Sequence, residues 1–158
     1  MPLHGNLAAA VCLMSRDRGG PRIAAQLLIY PVMAPAGGSP FSSYEENGEG
    51  YLLTRDSMLF YWDHYLPDAQ EATSPYAAPL HAGSLSGLPP ALVITAEYDP
   101  LRDEGEAYAR RLYQAGVEVK TIRYDGFIHG FFWLPGLLDA FQYAVDDIAR
   151  DLAKRFGS

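Results

Sequence analysis

Ala91-Leu92-Val93-Ile94-Thr95-Ala96 runs straight into Glu97-Tyr98-Asp99-Pro100, and this stretch decides the fold. The apolar run is too short for a helix and has the composition of a short buried strand, ending where the polar residues begin. Upstream, Ile23 to Tyr30 is a second near-continuous apolar run that stops at Pro31, of a length that suits a strand buried on both faces. Downstream, Val117 to Tyr124 alternates as a third strand.

Helical patterns lie between and around these runs. Asn6 to Met14 is apolar almost all round and is ended by Gly19-Gly20-Pro21. Thr54 is placed to cap a helix through Tyr65 whose Met58, Leu59, Tyr61, Trp62 and Tyr65 form an aromatic face of the kind that packs in a core. Asp103 to Ala115 carries Ala107, Tyr108, Arg111 and Leu112 at helical spacing and is closed by Gly116. From 137 to 155, Leu137, Leu138, Phe141, Ala144, Val145, Ile148, Ala149 and Leu152 share one stripe. Pro35 to Gly50 has no period and is expected to be a long surface loop, mobile or functional; Asp68 to Pro90 is also irregular. The order of elements predicts one α/β layered domain over residues 1–158, with about three parallel strands and flanking helices. A helix that opens the chain with no strand in front of it points to upstream strands of a larger sheet.

With 158 residues, 49% hydrophobic and 20% charged, the composition is that of a globular domain with one core. A net charge of -7 disfavours nucleic acid, whose binding depends on neutralising phosphates. The single cysteine, Cys12, excludes an internal disulfide and reads as a small buried thiol. Every apolar run is too short for a membrane span, and the start shows no signal-peptide pattern, so a cytoplasmic location is expected. His4, His64 and His81 lack ligand-like spacing, and neither a metal nor a cofactor is expected.

In a parallel α/β sheet, functional groups gather at the carboxyl ends of the strands. The segment after Ala96 brings Asp99 to that edge, and Asp125-Gly126-Phe127-Ile128-His129-Gly130 after Tyr124 brings His129. An aspartate can hold a histidine in one tautomer and stabilise the imidazolium it becomes, which is the supporting half of a nucleophile triad. Singly, Asp99 is also a good turn residue before Pro100, and His129 a good loop residue between glycine and aromatics. Together, in the order acid then base, they are the candidate catalytic residues. Asp103 and Glu104 fall in the first turn of the next helix, where the macrodipole favours negative charge, and read as structural.

These segments resemble the hormone-sensitive lipase-like α/β-hydrolases, bacterial esterase family IV. Gly5-Asn6-Leu7-Ala8-Ala9-Ala10 looks like the tail of that family's G-D-S-A-G-G-N-L-A nucleophile motif. Gln26 to Val32 resembles its next strand, and Ser74-Pro75-Tyr76-Ala77-Ala78-Pro79-Leu80 with Leu88-Pro89-Pro90-Ala91 its following connection. Asp99-Pro100-Leu101-Arg102-Asp103-Glu104-Gly105 resembles its acid motif and His129-Gly130-Phe131 its histidine motif.

The resemblance implies an ester hydrolase of short-chain substrates, acting through an acyl-enzyme with Asp99 as triad acid and His129 as base. It also puts Pro2 where the family has its serine, with Met1 to His4 a divergent start, and leaves the family's H-G-G-G oxyanion segment, cap and first strands unmatched. Gly83-Ser84-Leu85-Ser86-Gly87 offers no substitute, because its central residue is Leu85 and no apolar strand precedes it. The expectation is therefore a chain inactive alone, or a noncatalytic half-domain that forms a homo-oligomer, simplest as a dimer, or pairs with an upstream fragment.

Overall fold

Strand β2, Ala91–Tyr98, lies between two parallel partners, β1 (Gln26–Ile29) and β3 (Val119–Ile128). Being central, it has both faces covered, and Ala91 to Ala96 are all buried. The computed structural model describes residues 4–66, 68–134 and 136–156.

The period-two alternation of β2 sorts its side chains into two cores. Ala91 and Val93 join Leu28 of β1 and meet helices α1 (His4–Asp17) and α4 (Arg102–Gln114) through Ala9, Cys12, Leu13, Tyr108, Ala109 and Leu112. Leu92, Ile94 and Ala96 face the other way, onto Phe131 and onto Phe141, Ala144 and Ile148 of helix α5 (Asp139–Phe156). The result is helix, sheet, helix: two layers of helix on one three-stranded parallel sheet, as the element order predicts. Cys12 is buried and its thiol is pushed up to about 11 by desolvation, so it is a packing residue.

Gly5 lets α1 approach this sheet closely: a Cβ there would stand 2.6 Å from Cβ of Pro31. Asn6, fully buried, donates from Nδ2 to the carbonyls of Val32 and Ala77, tying α1 to the turn after β1 and to the irregular segment.

A third cluster sits past the carboxyl ends of the strands. Helix α3 (Arg55–Tyr65) begins at Thr54, whose hydroxyl accepts from the Ser57 amide, as the sequence predicts. Met58 and Trp62 of its aromatic face pack with Val32, Tyr44, Leu53 and Leu101.

Several expectations are corrected. Strand β1 starts at Gln26, not Ile23, because its pairing with Ala91 is the first available: Pro89 and Pro90 carry no amide to extend the ladder, and only their carbonyls are used, by the Gln26 side chain and amide. Strand β3 runs to Ile128, past Tyr124, through an irregularity opposite Ala96 and Tyr98. Leu137 and Leu138 precede α5 and are exposed, so its buried stripe begins at Phe141. The segment from Pro35 to Gly50 is no detached loop. It holds a helical turn, α2 (Ser43–Glu46), with Ala36, Ser43, Tyr44 and Asn47 buried.

Candidate functional site

β2 ends at Tyr98 and β3 at Ile128, so the next residue of each neighbouring strand is Asp99 and His129. Parallel pairing therefore delivers them to the same edge. His129 Nδ1 lies 2.8 Å from Asp99 Oδ2. The other carboxylate oxygen, Oδ1, accepts from the Leu101 amide at 2.8 Å. Asp99 is thus both the turn residue that Asp-Pro suggests and the partner of the histidine: one oxygen is locked by its own turn, and the second is aimed at the ring.

A carboxylate only accepts, so Nδ1 carries the proton and Nε2 presents its lone pair. Nε2 makes no hydrogen bond to the described residues. The side chain of Asp99 is 0% exposed and that of His129 10% exposed, so the acid is sealed behind the base and only the imidazole reaches the surface.

The ring is clamped from the side by Tyr30, the residue after β1. Their ring centroids are 4.4 Å apart, and Phe131 closes on Tyr30 from 5.7 Å. Tyr30 has φ of 35°, the one non-glycine residue with positive φ among the described residues. Holding a tyrosine there costs about 1 kcal/mol or more, and strain of this kind clusters at functional sites. Burial, then the nearby Asp99, pushes its phenol above the ordinary range.

The acid loop is braced from the segment expected to be mobile. The Ser43 hydroxyl donates to the carbonyl of Pro100 at 2.7 Å, and Asn47 Nδ2 donates to the carbonyls of Glu97 and Asp99. Asp103 accepts from the Ser43 amide and the Ser42 hydroxyl at 2.9 Å and 3.1 Å. Partial burial works against the charge on Asp103, yet hydrogen bonds from Arg102, Ser43 and Ser42 hold its carboxyl below the usual range.

Glu104 is fully buried; it accepts from the Met33 amide at 2.7 Å and the Tyr44 hydroxyl at 3.2 Å. Asp103 and Glu104 are structural, as their first-turn position suggests, but through contacts across the fold rather than the helix macrodipole alone. Sequence reasoning passed over Tyr30, Ser43, Tyr44 and Asn47, since no local pattern marks them; the aperiodic acidic stretch around Tyr44 hid a docked turn.

Ser84 and Ser86 are exposed and Leu85 is buried in the α1/α4 core. Their carbonyls accept from Arg16, near the C-terminal end of α1. They lie before the start of β2, while His129 lies beyond its end, so roughly 25 Å of strand stands between them. That geometry rules them out as partners of His129. His4 opens α1 and faces Trp133, ring to ring at 6.1 Å, beside a small cavity lined by Leu27, Ile29 and Tyr30. Pro2 lies outside the described residues. Among the described residues no group of acidic, histidine or cysteine side chains could hold a metal ion, and no helix is long and apolar enough to cross a membrane.

A family model described as the alpha/beta hydrolase fold matches residues 5–133, from the start of α1 through the site. The chain belongs to the α/β-hydrolase family. It is 42% identical over 137 residues to the carboxylic ester hydrolase LipN of Mycobacterium tuberculosis, covering 80% of this chain and 35% of that protein. An arylesterase of Saccharolobus solfataricus is 36% identical over 152 residues, covering 95% of this chain and 48% of that one. Among solved structures, a hyperthermophilic esterase from Pyrobaculum calidifontis superposes with a TM-score of 0.89 at 46% identity, over 98% of this chain and 50% of that one. These relatives are esterases, in line with the resemblance to hormone-sensitive lipase-like hydrolases seen in the sequence. The chain spans half or less of their length. As an α/β-hydrolase it places three parallel strands and their helices where half of such a structure places them.

Proposed function

We propose that this chain is the acid-and-base half of a carboxylic ester hydrolase for short-chain esters, with Asp99 and His129 as two members of a Ser-His-Asp triad. The observation that carries this reading is the 2.8 Å contact of Asp99 with His129 at the carboxyl edge of the sheet. Nε2 of His129 takes the proton of an attacking serine hydroxyl, and Asp99 stabilises the imidazolium that results. The same proton then goes to the leaving alkoxide, and a water repeats the sequence on the acyl-enzyme. In this reading the serine and the backbone oxyanion donors come from residues outside 4–156: Ser84 and Ser86 precede β2 while His129 lies past its far end, and the resemblance leaves the family's serine and oxyanion segment unmatched.

The test is hydrolysis of a short-chain p-nitrophenyl ester by the purified 158-residue chain beside its His129→Ala variant. With the nucleophile supplied from outside these 158 residues, both run at the same rate. Activity in the parent chain that the substitution removes would overturn the claim that the serine is supplied from elsewhere.

A second reading, a noncatalytic half that forms a homodimer, is favoured by one feature. Among the described residues β1 pairs only with β2, and Leu7 and Val11 of the neighbouring α1 are 50% and 54% exposed. A free strand edge beside apolar helix surface favours association. Light scattering on the eluting chain at micromolar concentration then gives twice the mass of 17.4 kDa; a monomer would count against this reading alone.

A further inference from the structure

The contact between Asp99 and His129 depends on a miscount between two strands. Ala96 pairs with Tyr124, but Tyr98 pairs with Ile128, so two steps along β2 match four along β3. In an uninterrupted ladder the residue opposite Asp99 would be Phe127. The two inserted residues bring His129 there instead, and because the insertion is even the side chain keeps its face. A bulge of one residue would have turned the imidazole to the other side of the sheet.

The insertion is held on both flanks. On the core flank Phe127 packs against Tyr124, Phe131 and Phe141, with ring centroids 5.3, 5.0 and 5.1 Å away. On the solvent flank Gly126, in the left-handed region at φ of 80°, donates its amide to Glu97 Oε2 at 2.6 Å. A carboxylate on a backbone amide is among the stronger hydrogen bonds a loop can have. The Glu97 backbone is itself pinned, because its carbonyl accepts from Asn47 and Arg102. Glu97 therefore stands on the acid-bearing strand, two residues before Asp99, and grips the base-bearing strand three residues before His129.

We infer that Glu97 is a positioning residue, whose bond to the Gly126 amide fixes the strand register that brings His129 to Asp99. The inference rests on the proposed roles of those two residues, but its test reads the ring proton and not turnover, so it stands or falls separately from ester hydrolysis. In the 158-residue chain the His129 Nδ1 proton, shared with a carboxylate, gives a far-downfield NMR resonance. Glu97→Ala is expected to broaden or abolish it and to speed hydrogen exchange at the Gly126 amide by about tenfold, the loss of one charge-assisted bond.

Glu97→Gln, whose amide oxygen still accepts from Gly126, is expected to keep both signals. His4, His64 and His81 report on the rest of the fold in the same spectra. A Glu97→Ala spectrum with the His129 proton unmoved overturns the inference. So does a change at His129 no larger than the change at the other three histidines, or the same loss in Glu97→Gln as in Glu97→Ala.

Discussion

His129→Ala lowers ester hydrolysis by roughly 10⁴-fold or more when residues 5–158 of this chain replace the matching half of the Pyrobaculum calidifontis esterase in a chimera. That relative superposes over 98% of this chain, so the exchanged half has the same fold in both proteins. Asp99→Asn in the same chimera costs a similar factor, about 10⁴, by a different route. The asparagine amide donates where the carboxylate accepted, which moves the imidazole proton to Nε2 and removes the lone pair that serves as base. Both losses fall on kcat with KM little changed, because neither side chain binds the ester in its ground state. Steady-state rates on a p-nitrophenyl ester check this. A chimera that hydrolyses the ester at the parent rate with either substitution would remove the two residues from the mechanism.

Glu104 governs a second large effect, on stability. Burial pushes its carboxyl up to about 8, even though hydrogen bonds from Met33, Tyr44 and Ala34 favour the charged form; the nearby Asp99 adds to the rise. In the unfolded chain a glutamate titrates at about 4.3. Between those values the folded protein keeps a proton that the unfolded chain has released. Stability is therefore fully present at the acid end of that window, falls as pH rises from about 4.3 to about 8, and is level above it. The fall amounts to a few kcal/mol.

Glu104→Gln, neutral at every pH and able to accept from the Met33 amide, is expected to flatten this slope and to melt higher than the parent at pH 9. Glu104→Ala also removes the titrating carboxyl and flattens the slope, but it lowers stability instead of raising it. It leaves the Met33 amide and the Tyr44 hydroxyl buried without their acceptor and opens a cavity, costing about 3 kcal/mol or more at pH 6. Urea unfolding of the three proteins across pH checks both; a parallel pH slope in the parent and Glu104→Gln would show that another group carries the dependence.

Much of this was open to inspection in the residues alone, for a common reason. Thr54 before Arg55–Tyr65, the helical spacing of Tyr108 and Leu112, and the apolar run Ala91 to Ala96 are local patterns, and local sterics and hydrogen bonding give each of them one meaning. Asp99 and His129 could be named because chain order and the strand-end rule depend on counting elements, not on their exact ends. What escaped was every contact between residues far apart in sequence. Met33 and Glu104 are separated by 71 positions, Ser43 and Pro100 by 57, and Glu97 and Gly126 by 29. The segment from Pro35 to Gly50 read as loose because it lacks periodicity, yet a single turn docked by side-chain hydrogen bonds needs none.

Short-range periodicity and composition carry the class of fold and the order of its strands and helices, and counting those elements is enough to put Asp99 and His129 just past two strand ends. Only the tertiary structure decided that Asp99 and His129 touch. Their contact depends on two extra residues in β3, on Gly126 held by Glu97 and on a brace from Ser43 and Asn47. A strand register is set by pairing across space, and no local pattern encodes it.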